Sequence, residues 1–118
     1  MASKPSAKAQ QKLDAIAEAR RKWDRVYSLI ELAATQKTGQ DMYLQQIRRA
    51  AQDVGRVFLN NGMGPLADGA NQMALLVRRG GTLQAKLRSM REQVGVVRGG
   101  IERAEKAVID EDKESPGF

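Results

Sequence analysis

Thr82–Val108, TLQAKLRSMREQVGVVRGGIERAEKAV, decides how the rest of the chain is read. Its apolar residues Leu83, Leu87, Met90, Val94, Val97, Ile101, Ala104 and Val108 recur at spacings that alternate between four and three without a slip. That alternation puts all of them on one side of a helix, in the a/d pattern of helix-on-helix packing. Arg88, Arg91 and Arg98 fall on one flank of this seam, within about 80° of each other at about 100° per residue. Gly95, Gly99 and Gly100 interrupt the composition but not the phase, since Val97, Ile101 and Ala104 keep the heptad across them. A helix continuous to about Asp110 is therefore expected, with the glycines marking close helix contact or a hinge.

Working outward, each earlier segment offers a stripe for this seam to pack on. From Ser6 to about Gln36 nothing breaks a helix, and Ile16, Ala19, Trp23, Val26, Ile30 and Ala33 repeat at three and four, with Leu13 and Tyr27 widening the stripe. Pro5 suits a first helical turn, with Ser3 or Lys4 just ahead of it. Glu18 and Lys22 are spaced as a favourable i,i+4 pair. Lys37-Thr38-Gly39 stops this helix, Gly39 fitting the left-handed C′ position. A second helix from about Gln40 to Asn60 carries Tyr43, Leu44, Ile47, Ala50, Ala51, Val54, Val57 and Phe58. Arg49 and Asp53 are placed to pair across one turn. Gly55 sits mid-helix, where glycine costs about 1 kcal/mol against alanine, and it points to a neighbouring helix approaching closely.

Asn60-Asn61-Gly62-Met63-Gly64-Pro65 is the clearest break in the chain. A short third helix follows from about Pro65, with Leu66, Ala70, Met73, Ala74 and Val77 as its stripe and Leu75 and Leu76 alongside. Arg78-Arg79 close it and Gly80-Gly81 end it, after which Thr82 caps the fourth helix. The expected fold is all-α: an antiparallel four-helix bundle with long first and fourth helices and a short third helix. The bundle would span residues 7–110, between a flexible N-terminus at 1–6 and an acidic disordered tail at 111–118. The long pair outruns the other two helices, and burying its protruding seams calls for a second copy, so a homo-oligomer is expected.

Composition narrows the chemistry. A chain of 118 residues suits one domain. It has no cysteine and no histidine, so disulfides, the usual metal ligands and the commonest general base are missing. Asp14/Glu18 and Glu102/Glu105 share helix faces, but they lie among lysines and arginines on surfaces that should be wet. Gly62-x-Gly64 lacks the Gly-Lys-Ser/Thr of a phosphate-binding loop, and no strand pattern precedes it. No catalytic residue, no metal site and no cofactor is expected, and an enzyme is disfavoured. No apolar run is long enough to span a bilayer, and the first residues have no apolar core of a secretory signal, so a cytoplasmic protein without membrane contact is expected.

Charge is the remaining signal. The net charge is +6, from 20 basic and 14 acidic residues. Asp110, Glu111, Asp112 and Glu114 make the C-terminal end acidic, and the rest of the chain is strongly basic. Arginine outnumbers lysine 12 to 8, which favours bidentate pairing with phosphate or carboxylate. The candidate contact residues are Arg88, Arg91 and Arg98, supported by Arg48, Arg49, Arg78 and Arg79 and by Arg20, Arg21 and Arg25, which with Lys22 form a basic collar around Trp23. Such a face fits the phosphate backbone of duplex or structured nucleic acid, or an acidic protein surface. The few aromatic residues lie mostly on core stripes, Trp23 reads as a core anchor rather than a base-stacking platform, and single-strand recognition is poorly supported. The alternative function is a protein–protein interaction module, an adaptor or small chaperone, whose partner adds a helix along an exposed seam. Under the first reading the acidic tail would compete for the arginine face.

Gln46-Ile47-Arg48-Arg49-Ala50-Ala51, followed by Val54 and then Asn60-Asn61-Gly62, resembles the second-helix signature of the 23S rRNA intervening-sequence family of small four-helix bundles. The resemblance implies a small helical oligomer. Through the similar accessory proteins of diversity-generating retroelements, it also implies a basic, nucleic-acid-associated one. Where that family has Ser-Ile-Pro and Asn-Ile-Ala-Glu-Gly, this chain has Asp53-Val54-Gly55 and Phe58-Leu59-Asn60-Asn61-Gly62.

Overall fold

Local chemistry at the helix ends sets the four elements. The computed structural model describes residues 5–114 and contains α1 (Ala7–Thr35), α2 (Gln40–Asn60), α3 (Gly64–Arg78) and α4 (Leu83–Glu114). Ser6 is the N-cap of α1, its hydroxyl accepting from the Ala9 amide at 3.1 Å. Pro5 therefore lies ahead of the helix rather than in its first turn, and the expected positions of Ser3 and Lys4 lie outside the described residues. Thr82 caps α4 as its sequence position implies, accepting from the Ala85 amide at 3.1 Å. Gly39 is left-handed, with φ 80°, but it sits at the N-cap of α2 rather than next to the end of α1, which Gln36 closes in an extended conformation. Residues 111–114 continue α4 as helix, inside the region expected to be a disordered tail. The remaining residues of the two expected flexible ends, 1–4 and 115–118, lie outside the described residues.

The short connections force neighbours to run antiparallel. Packing follows the chain order around a ring: α1 lies on α2 and α4, and α3 lies on α2 and α4. The result is an antiparallel four-helix bundle measuring 57 × 23 × 19 Å. Its core is built from the expected stripes. Ile16, Trp23, Val26, Ile30, Ile47, Val54, Phe58, Met73, Met90, Val97 and Ile101 are fully buried. Trp23 is the largest of them, and its indole N–H donates to the Val94 carbonyl at 3.2 Å, so its one polar atom is satisfied inside the core. Tyr27 departs from its expected place. It is 38% exposed and lies at the edge of α1 under the Arg98 guanidinium, 4.8 Å from the ring centre.

The glycines separate into two kinds. A Cβ at Gly55 would lie 2.7 Å from Asn71 Oδ1, and one at Gly100 would lie 2.6 Å from Leu66 Cδ2. These are the close approaches of α2 to α3 and of α4 to α3. Gly95 faces open space, with nothing near its missing Cβ. α4 stays helical through all three glycines of the 95–100 segment, so the heptad's phase is the correct guide.

The two long helices extend beyond α2 and α3 and cover each other there. Ala9, Ala15 and Ile16 of α1 are buried, while Leu13, Ala104 and Val108 are half-buried. Asp112 accepts the backbone N–H of Ser6 at 3.1 Å, closing the tip. Small alanine side chains let the pair pack closely there, while Leu13, Ala104 and Val108 stay partly exposed along the seam where a second copy was expected.

Candidate nucleic-acid interface

α4 presents different chemistry to its two neighbours. Toward α3 it offers Gln93, whose side-chain amide donates to the Gly69 carbonyl at 2.8 Å, and Gly100 against Leu66. Toward α1 it offers Arg91, Arg98, Glu105 and Asp112, spaced seven apart. Each of these meets a partner on or just before α1. Arg91 pairs with Glu31 through two hydrogen bonds, at 2.9 and 3.1 Å. Arg98 reaches Asp24 at 3.4 Å while lying over Tyr27. Glu105 takes Arg20 at 3.2 Å, and Asp112 takes the Ser6 amide. Seven-residue spacing flanking an a/d seam is the e/g pattern that sets register between two helices.

The expected stripe of Arg88, Arg91 and Arg98 is therefore not a single free surface. Arg91 and Arg98 turn into the α1–α4 groove, and Arg20 is held there too. Arg88 points outward and makes no ion pair among the described residues. Arg49 is also unpaired there, because Asp53 takes Arg56 at 3.0 Å instead of Arg49. Glu18 and Lys22 do form the expected pair, at 3.5 Å. Arg21, Arg25, Arg78 and Arg79 are exposed and carry no ion pair among the described residues. Arg48 is half-buried, and its Nε is a buried donor with no hydrogen-bond partner.

The antiparallel arrangement stacks a dense group of basic side chains at one end. The α1–α2 and α3–α4 connections lie together, so the bundle can be taken from these loops down to the Glu31–Arg91 pair. Residues 31–49 and 74–91 occupy that end. They hold eight basic side chains (Lys37, Arg48, Arg49, Arg78, Arg79, Lys86, Arg88 and Arg91) against Glu31 and Asp41. The difference equals the chain's whole net charge of +6, so the remainder of the molecule is neutral in sum. The C-termini of α1 and α3 point to this end, where their carbonyls favour cations such as Lys37, Arg78 and Arg79. The collar residues Arg21 and Arg25 lie further down α1 and are not part of the cluster.

One signal for the paired arginines lay in α1. Arg20, Asp24, Tyr27 and Glu31 are spaced four, three and four, a polar stripe beside the core stripe. It complements Arg91, Arg98 and Glu105 when the helices run antiparallel. Among the described residues no His, Cys, Asp and Glu side chains group as a metal site, and no helix is long and apolar enough to cross a membrane. Compared with protein-family models, curated proteins and solved structures, the chain matches none. The local likeness around Gln46–Gly62 accordingly rests on those residues alone.

Proposed function

We propose that this is a non-enzymatic accessory protein that binds duplex or structured nucleic acid through the loop end of its bundle. The observation that carries the reading is the collection of the entire net charge at that end, largely without acidic partners. Arg78, Arg79 and Arg88 are the principal contacts, with Arg48, Arg49 and Lys86 beside them. Guanidinium groups on rigid helices fit phosphate oxygens, and each contact releases counterions. Trp23 is buried and Tyr27 is covered by Arg98, which favours recognition by charge and shape over base stacking.

The test is fluorescence anisotropy with a short labelled DNA duplex and an RNA hairpin across a salt series. Replacing Arg78, Arg79 and Arg88 together with glutamine should flatten the log–log salt slope by about 2–3, from a loss of about 0.7–0.9 per phosphate contact. Replacing Arg98 alone should leave the slope nearly unchanged, because that side chain serves α1. Absence of binding at about 50 mM salt, where backbone contacts are strongest, would overturn the proposal.

A further inference from the structure

The geometry points to a second docking surface: the outer groove between α2 and α3 takes an acidic amphipathic helix from a protein partner. This inference shares Arg48, Arg78 and Arg79 with the nucleic-acid reading but rests on two exposed leucines that reading does not use. Gly55 lets α3 come close enough for Asn71 to lie over the α2 backbone. On the outer side, this contact leaves an open groove of about 290 Å³ lined by Gln52, Gly55, Arg56, Leu59 and Asn71. Leu59 is 66% exposed at one end of it. Leu75, one helical turn beyond Asn71 on the same side of α3, is 57% exposed.

The spacing of these leucines selects the occupant. Leu59 lies four residues along α2 from Gly55, and Leu75 lies four residues along α3 from Asn71. The helices are antiparallel, so the two displacements run in opposite directions. At 1.5 Å per residue the leucines stand about 12 Å apart along the groove, the rise between positions i and i+7 or i+8 of a third helix. A helix also satisfies its own backbone, which matters here because two helices offer no strand edge to an extended peptide.

Charge selects the character of that helix. Arg48 lies one turn from Gln52, and Arg78 and Arg79 lie one turn past Leu75, so the groove runs toward a cationic end. The Nε of Arg48 has no acceptor in this molecule. That atom is itself closed to solvent, so carboxylates of the docked helix would pair with the exposed Arg78 and Arg79 and draw the half-buried Arg48 guanidinium toward the groove. The occupant is thus a helix with apolar residues two turns apart and acidic residues toward the Arg48 end.

The probe is a fluorescein-labelled synthetic peptide with leucines at i, i+4, i+7 and i+11 and glutamate and alanine elsewhere. Saturable binding is expected. Leu59→Glu and Leu75→Glu should each weaken it about tenfold or more, from the loss of one buried leucine contact. Both sites are exposed, and circular dichroism checks that each variant keeps its helix content. Val96→Glu, at a 59% exposed site on α4, should leave binding unchanged. Arg48→Gln should weaken binding while leaving the leucine dependence intact. The proposal is overturned by no saturable binding, or by equal binding of a peptide with serine in place of leucine. It is also overturned if light scattering shows self-association that Leu59→Glu abolishes, since a second copy would then fill the groove. Weaker duplex binding by Leu59→Glu would assign the groove to nucleic acid and overturn it as well. Loss of duplex binding on changing Arg88 bears only on the nucleic-acid reading.

Discussion

Arg91 of α4 holds Glu31 of α1 with two arms of its guanidinium, Nε to Oε1 at 2.9 Å and Nη2 to Oε2 at 3.1 Å, across 60 residues of sequence. One heptad further along α4, Arg98 meets Asp24, which lies seven residues back along α1. The two pairs fix the antiparallel register of the long helices. A spacing that suits a row of phosphates also suits a helix zipper, and in this fold it serves the zipper.

The first prediction concerns that pair. Hydrogen bonding from Arg91 is the main reason the Glu31 carboxyl is held below its usual range; desolvation opposes it, and the Arg91 charge adds a smaller lowering. The same contact raises Arg91 further, so the guanidinium stays charged. Because the folded-state value of Glu31 is depressed, its contribution is present above the ordinary carboxylate range and is lost as pH falls through the depressed value. Both side chains are substantially solvated, so the coupling should be only about 0.5 kcal/mol at neutral pH. A double-mutant cycle of Glu31→Gln and Arg91→Gln in urea should give that coupling, and it should vanish in acid and shrink in about 1 M salt. Zero coupling at neutral pH would contradict the bidentate geometry.

The glycines of α4 should respond in opposite directions. Gly95 faces open space, so Gly95→Ala should raise stability by up to about 1 kcal/mol through helix propensity. Gly100→Ala would place a methyl group 2.6 Å from Leu66 Cδ2. Leu66 must shift, and its partial exposure permits some movement, so overpacking of about 1–2 kcal/mol should exceed the propensity gain. Thermal unfolding of the two variants gives the comparison. If Gly100→Ala is as stable as Gly95→Ala, the Leu66 side chain swings clear of the added methyl group without cost.

Much of this fold was legible because one period governs it. The a/d seam of α4 predicts the burial of Leu87, Met90, Val94, Val97 and Ile101, and the heptad's phase carries the helix through Gly99-Gly100. Gly55 reads correctly as a close approach. The candidate site was less legible, because helical periodicity gives a residue's direction on its own helix but not what the next helix places opposite it. Arg49 and Asp53 satisfy the i,i+4 rule, yet Asp53 takes Arg56, since i,i+3 neighbours are also in reach. The cationic end depends on how four segments are stacked, which no single segment displays.

Asp112 should act as a cap supplied from another helix. α1 has no acidic residue in its first turn, and the acidic end of α4 lies beside its positive N-terminus. Asp112→Asn should cost about 0.5 kcal/mol, and Ser6→Ala about 1 kcal/mol through loss of the hydroxyl acceptor. Amide hydrogen exchange should quicken in the first turn of α1 for both variants and stay unchanged around Trp23. A uniform acceleration along α1 would instead indicate global destabilisation. This capping role also gives the acidic segment a use remote from the cationic end, so removing the Asp112 charge should leave duplex affinity nearly unaffected.

Trp23 offers the sharpest optical check. The indole is fully buried and its N–H donates to Val94 at 3.2 Å, so the ring ties α1 to the middle of α4. Its fluorescence should be blue-shifted, poorly quenched by iodide, and unchanged on adding duplex, because no base can reach the ring. Trp23→Phe removes the donor and part of the ring volume, and should cost about 1–3 kcal/mol. Trp23→Ala should cost about 3–5 kcal/mol, a large share of the about 5–15 kcal/mol that holds a domain of this kind together. If Trp23→Phe instead keeps full stability but loses duplex binding, the side chain contacts the ligand. Recognition by stacking would then replace recognition by charge, and the cationic end would lose its place as the primary contact.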